Sequence, residues 1–351
     1  MRFTKAIGVL ALAIALVAAG TVGAVGTVGA QSGTDCSFPV TVTDATGTEV
    51  RLSEAPDRVV TVAPSAAQTM YEIGAQEKVV GISERGTYLD WDEEKAVVSG
   101  SDESFVSIEL VLEQQPDLVL APSIISDDTV EKLRGSGLTV YHFENAKTME
   151  DVVEKTRLIG QLVGECEAAD ARAAEMEQTL ATVAEAVEGE ERPKVLHMLG
   201  GGYTAGEGTF IDAVITTAGG SNVAAEANIT SYGMISDEVV ANQSPEYIVV
   251  SSTLTDVVPD KEAYNNTPAV QNDQIVRLDP DNLNQPAPRV VGVVETLASE
   301  FHPEAYEAAQ AAGETTTTDT TAVTTEAEAP GFGPIAALLA LIGAALTRRD
   351  Q

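Results

Sequence analysis

The sequence predicts an α/β protein, two doubly wound α/β lobes joined by a single rigid helix, on three observations. Short apolar, β-branched runs alternate with helical periodicities, the pattern of parallel sheets covered on both faces. Between two such series lies Glu167–Glu188, free of Pro and Gly and rich in Ala and Glu, which favour helix. At 351 residues the chain is long enough for two cores. The long helix therefore reads as a stiff strut, although the same residues also suit a packing helix within one larger domain.

Taken in order, residues 1–30 read as a signal peptide. Arg2 and Lys5 form a positive start, Ala6–Ala19 an apolar stretch, and Val28-Gly29-Ala30 a small-residue cleavage site. A first lobe then occupies residues 36–165. Phe38–Leu52 alternates apolar and polar residues around Ala45-Thr46-Gly47, a hairpin signal. Arg58–Val62 reads as a strand buried on both faces, and Pro64-Ser65 starts a helix that Gly74 stops. Lys78–Ile82, Asp117–Ala121 and Thr139–Phe143 are further strands; Ile108–Gln114 and Asp127–Arg134 are helices. A helix over Met149–Val163, broken by Gly164, closes the lobe.

The strut spans residues 166–189. Ala169, Ala173, Met176, Leu180, Val183 and Val187 recur at steps of three and four, giving one apolar stripe about 30 Å long. A second lobe follows over residues 190–306. It contains strands at Val195–Leu199, Tyr247–Ser251 and Ile275–Leu278, and helices at Phe210–Ala218, Asp237–Asn242 and Arg289–Phe301. Residues 313–329 form a Thr/Glu-rich run that suits a solvated stalk. Residues 330–351 hold Pro330-Gly331-Phe332, an apolar run Gly333–Leu346 and Arg348-Arg349. This tail resembles the archaeal PGF-type sorting signal, which an archaeosortase removes while attaching a membrane lipid anchor. A plain C-terminal membrane anchor fits as well, and either places the protein on the outer face of the cell membrane.

The net charge of −34, with 54 acidic against 20 basic residues, is spread along the chain. Such a surface suits high salt, where screening suppresses self-repulsion, and it excludes nucleic acid as a partner. The two cysteines, an even count in an exported chain, are expected to form a Cys36–Cys166 disulfide. Glycosylation sequons stand at Asn228, Asn242 and Asn265.

No motif argues for catalysis. His142, His197 and His302 are scattered, without the spacing of a transition-metal site. Gly200-Gly201-Gly202-Tyr203-Thr204-Ala205 formally fits a dinucleotide fingerprint, but Gly206 and Gly208 intervene before the next helix. Ligand candidates therefore lie at the carboxyl ends of the parallel strands, where open α/β sheets bind ligands. In the first lobe these are Ser65, Ala66, Arg85, Tyr88, Trp91 and Ser123. In the second they are Gly202, Tyr203, Tyr232, Ser252 and the loop Asn282–Arg289, with Arg289 singled out. The arginines are candidates for an anionic ligand and the aromatics for stacking on a flat one. Each arginine also reads as a solvated surface cation or one salt-bridged to a neighbouring acid, and each aromatic as a core residue.

RVVTVAPSAAQTMYEIGAQEKVVGIS, SIELVLEQQPDLVLA and NDQIVRLDPDNLNQPAPRVVGVVETLASEFHP resemble the cobalamin- and iron-chelate-binding proteins of ABC importers. The resemblance runs from about Phe38 to His302. It implies two lobes on one rigid helix that hinge slightly around a small-molecule metal chelate, cobalamin or a ferric siderophore, with haem third. It further implies no enzyme activity, no resident cofactor, a monomer, and delivery to an ABC permease with its ATPase. Members use one acid per lobe to dock on the permease. Gln68 stands at the usual first-lobe position, so Glu72 and Asp212 are the expected docking pair. The alternatives are a surface nucleotide- or metal-dependent enzyme, a receptor for a bare metal ion, or a cell-surface structural protein.

Overall fold

In a computed structural model the described residues are 36–99, 106–255 and 257–319. The signal peptide, the sorting segment and most of the stalk lie outside them.

The first lobe begins with the expected hairpin, β1 (Val40–Thr43) against β2 (Glu49–Leu52). There follow β3 (Val59–Thr61), α1 (Pro64–Glu72), β4 (Val79–Ser83), β5 (Ala96–Ser99) and α2 (Ile108–Glu113). The lobe continues with β6 (Leu118–Ala121), α3 (Asp127–Gly135), β7 (Val140–His142) and α4 (Met149–Val163). The sheet is parallel, in the order β5-β4-β3-β6-β7. Alternate residues feed opposite cores, Val59 and Leu118 one, Val60 and Val119 the other. That two-sided burial is why these strands read as unbroken apolar runs. Ser126 caps α3, and Thr148 with Asp151 makes a capping box at α4. Gly164, with φ +83°, ends α4 in the left-handed region.

After α5 (Cys166–Val187) the second lobe runs through β8 (Lys194–Met198), β9 (Tyr203–Ala205), α6 (Phe210–Thr217), β10 (Ser221–Asn222) and α7 (Val223–Glu226). Next come β11 (Tyr232–Met234), α8 (Asp237–Gln243), β12 (Tyr247–Ser251), α9 (Glu262–Asn265) and α10 (Pro268–Gln271). The last elements are β13 (Ile275–Leu278), α11 (Pro280–Leu283), α12 (Val290–Phe301) and α13 (Pro303–Asp319). β10-β8-β12-β13 form a parallel sheet, and β9 with β11 a small antiparallel ribbon. The Gly200–Gly202 loop thus enters a strand, which removes the helix N-terminus that a dinucleotide would need. Tyr306 and Ala309 of α13 join the second lobe's core, and the helix runs past Gly313 to Asp319. The first residues of the Thr-rich run are therefore helical, because extending an existing helix needs no new nucleus.

The buried face of α5 carries Ala169, Ala173, Met176, Val183 and Ala186, close to the expected stripe. The strut does not act alone. Met149, Val152 and Val153 of α4 pack into the second lobe's core, while Ile159, Leu162 and Val163 pack into the first's. The joint is thus a pair of helices in contact with both cores. Cys36 is bonded to Cys166, with Cα atoms 5.5 Å apart, tying the start of the described chain to the first turn of α5.

The two helices touch at Gly160, where a Cβ would stand 2.2 Å from the Ala169 Cβ and 2.9 Å from the Glu165 carbonyl oxygen. Alanine favours a helix interior over glycine by about 1 kcal/mol. Backbone cannot yield as a flexible side chain does, so sterics should win. Gly160→Ala is expected to destabilise the protein by about 1–3 kcal/mol. A thermal melt at or above the wild-type midpoint would show that α4 and α5 part without cost.

Candidate ligand-binding cleft

Loops at the carboxyl ends of β3, β6 and β7 meet α6, β11 and the β13–α12 connection across a cavity of about 450 Å³. The first lobe contributes Ser65, Ser123, Ile124 and Asn145; the second contributes Phe210, Tyr232, Asn284 and Gln285. Among the described residues, none lining this cavity is charged. Ser123 and Asn145 approach each other at 3.4 Å. Gln285 is 7% exposed, and its Oε1 has no hydrogen-bond partner. An amide oxygen buried this way costs about 1–3 kcal/mol.

Beside the cavity the β9–β11 ribbon presents an apolar face. Tyr203 pairs with Met234, and Tyr232 is two residues from Met234 along β11. The pleat therefore places all three on one side, each more than half exposed. Ile124 on the opposite lobe is exposed as well.

A polar network ties α1 to α5 and to the segment leading into α12. Gln68, fully buried, donates to the Tyr88 hydroxyl at 2.6 Å and to the Asp281 carbonyl at 3.2 Å. Its Oε1 accepts the Arg289 backbone N–H at 3.0 Å. Burial pushes the Tyr88 hydroxyl up to about 12, so it stays a neutral partner. The two Glu72 oxygens take separate arginines, Arg289 Nε at 2.7 Å and Arg172 Nε at 3.1 Å. The Arg289 guanidinium also lies over the Tyr71 ring, 5.3 Å from its centre.

The expected residues sit as follows. Glu72, expected to dock a permease, and Arg289, expected to meet an anion, satisfy each other in a half-buried site. Asp212, the other expected docking acid, accepts from Asn222 Nδ2 at 2.9 Å and from the Gly208 N–H at 3.2 Å. It fastens the entry to its own helix. Trp91 donates its indole N–H to the Gly86 carbonyl at 2.9 Å and packs edge-on against Tyr71 at 5.6 Å. It belongs to the first lobe's core rather than to the cleft. Ala66 is buried inside α1, and Tyr88 is held by Gln68. Arg85 acts on Asp281, whose carboxyl is raised by burial and lowered by that arginine. Ser252 is exposed, its N–H donating to the Leu278 carbonyl at 2.7 Å. Gly202 lines a separate cavity of about 680 Å³ within the second lobe. Asn228, Asn242 and Asn265 are exposed.

Of the expected ligand residues, the structure gathers Ser65, Ser123 and Tyr232 in the cleft, with Tyr203 beside it. Residue-level reading missed Asn145, Phe210, Ile124 and Gln285. Asn284 and Gln285 lie in the loop Asn282–Arg289, whose position after β13 marks it from the sequence, while the chemistry of their amides does not stand out beside the charge of Arg289. Among the described residues, no group of three or more His, Cys, Asp or Glu comes together as a metal site. No helix among them is long and apolar enough to cross a membrane.

The comparisons with known proteins agree with this architecture. A cobalamin-binding protein of Halobacterium salinarum is 42% identical over 90% of this chain and 89% of that protein. The periplasmic vitamin B12 binding protein BtuF of Vibrio cholerae superposes with a TM-score of 0.61 at 25% identity, covering 73% of this chain and 98% of that one. The periplasmic heme-binding protein RhuT of Roseiflexus sp. RS-1, in apo form, superposes at 0.64 with 24% identity over 71% and 99% of the two chains. The last likeness is one of fold. The sequence profile of the periplasmic binding protein family matches residues 59–282, and the chain belongs to that family.

Proposed function

We propose that the protein captures a corrinoid of the cobalamin type between its lobes and delivers it to an ABC permease and its ATPase. The observation that carries this reading is the cleft lining: amides, hydroxyls and aromatics, without a charged side chain. A corrinoid is a flat macrocycle fringed with amides, so it offers an apolar face to the Tyr203–Tyr232–Met234 surface and hydrogen-bond donors to Gln285. Haem carries two propionates and an anionic ferric siderophore carries more charge, and both call for free cations. Arg289 is committed to Glu72, and a net charge of −34 repels anions. The relative from Halobacterium salinarum bears the matching name.

On this reading the ligand is cargo, the protein needs no cofactor, and it does no chemistry. It works on the outer face of the membrane, exported by its signal peptide and held there by the C-terminal segment, which an archaeosortase-type enzyme exchanges for lipid. Titration in high salt with cyanocobalamin, haemin and a ferric hydroxamate tests the choice of ligand. Cyanocobalamin at a hundred times its Kd should add about 2.7 kcal/mol of stability, and the other two should add little. Stabilisation by haemin or the hydroxamate, with none from cyanocobalamin, would overturn the reading.

A further inference from the structure

A buried lysine stands behind the second-lobe wall of the cleft. Lys155 lies in the middle of α4, is 8% exposed, and donates from Nζ to the Pro286 carbonyl. α4 belongs to the first lobe by sequence, so this bond reaches across to the other lobe. A cavity of about 530 Å³ beside Lys155 is lined by Glu144, Lys147, Asp151 and Glu154 as well. None of these offsets its charge, and burial alone holds its amine at about 7. An apolar side chain of similar length would serve the fold better, because a buried ammonium without a counter-ion opposes folding. A lysine in that place has other work.

The segment it holds is poor in hydrogen bonds. Pro286 and Pro288 have no N–H to donate. The neighbouring amides supply two bonds, Ala287 N–H to the Gln285 carbonyl at 2.8 Å and Arg289 N–H to Gln68 Oε1 at 3.0 Å. Gln285, which lines the cleft and whose Oε1 is buried without a partner, directly precedes the carbonyl that Lys155 grips. Asn145 lines both cavities, so the two faces of this wall are close together.

Resting on the cobalamin reading of the cleft, we propose that Lys155 is a positioning residue. It fixes the Gln285–Pro286 segment from behind and so sets ligand affinity without touching the ligand. A purely structural lysine and a positioning one differ in how stability and affinity move together. With its amine at about 7 when folded and near the ordinary lysine value when unfolded, Lys155 binds its proton less tightly in the folded chain. Its charge therefore opposes folding at neutral pH.

The test compares the full protein with Lys155→Met and with Glu154→Gln as a control from the same cavity. Three quantities are read: affinity for cyanocobalamin, apo melting point at pH 7, and amide hydrogen exchange at Ala287 and Arg289. Lys155→Met is expected to weaken binding about tenfold, the worth of one lost hydrogen bond from the lysine amine. Its melting point should equal or exceed that of wild type, and exchange should rise at Ala287 and Arg289 alone. Glu154→Gln should change none of the three. Binding within twofold of wild type in Lys155→Met would overturn the proposal. So would an affinity loss accompanied by a lower melting point and faster exchange throughout the chain. Lys155→Leu is the second variant should methionine not fold, and failure of both to fold would make the lysine structural. If wild type binds no cobalamin, the reading of the cleft falls, while exchange at Ala287 and Arg289 in Lys155→Met still decides whether Lys155 holds the segment.

Discussion

Loss of the Cys36–Cys166 disulfide is expected to produce the largest drop in stability that any small change to this chain can cause. The bond joins residues 130 positions apart, so its removal frees nearly the whole first lobe in the unfolded ensemble. The chain-entropy relation puts that release at about 5 kcal/mol, and residual structure in the unfolded chain brings it down toward 3. For a chain of this size the midpoint should fall by roughly 6–20 °C. The double variant Cys36→Ser/Cys166→Ser, melted beside wild type without reductant, measures it. Reductant should then move wild type to the variant's midpoint and leave the variant unchanged. A double variant that melts with wild type would show that α5 and the hairpin are held by packing alone.

Glu72→Ala is expected to follow, at about 2–4 kcal/mol. Breaking a fully buried pair costs about 3–5 kcal/mol by stranding a charge. Here the side chains of Glu72, Arg172 and Arg289 are 17%, 21% and 32% exposed, so water screens part of the loss. What remains is Arg172, still paired with Glu175 at 3.3 Å, and Arg289 left with the Tyr71 ring, where α1, α5 and the entry to α12 converge. The triple variant Glu72→Met/Arg172→Met/Arg289→Met should recover most of the loss, because apolar packing replaces a buried triad at little cost. Chemical denaturation of the single and triple variants separates the cases. A single variant within about 0.5 kcal/mol of wild type would mean that the cluster behaves as a surface ion pair.

These expectations show where sequence reading succeeds. Val59, Val60, Val119 and Leu120 sit in strands buried on both faces, so their apolar runs were conspicuous without any partner being known. The connecting helix was equally plain, since Glu167–Glu188 offers no residue that stops a helix. The short strands without a buried apolar run were not. β5, β9, β10 and β11 exist because neighbours complete their hydrogen bonds, and that information is not local.

Charged partners are hidden for the same reason. A salt bridge is one of the readings open for Arg289, but nothing along the chain shows that its acid is Glu72, 217 positions away. In an acidic chain with few cations, a half-buried carboxylate is the first place an arginine is used. The cleft was legible as a set of loops, since the carboxyl ends of parallel strands are known from order alone. Its chemistry became legible once those loops were seen to contribute Asn145, Asn284 and Gln285 while the charges turned elsewhere.

The structure of the protein with cyanocobalamin bound tests the central claim most directly. The ring should lie between the lobes, against Tyr232 on one side and the Ser65 and Ser123 loops on the other. Gln285 Oε1 should accept a hydrogen bond from one of its amides. A ring seated in the second-lobe cavity beside Gly202 and Tyr264, with the interlobe cleft empty, would contradict it.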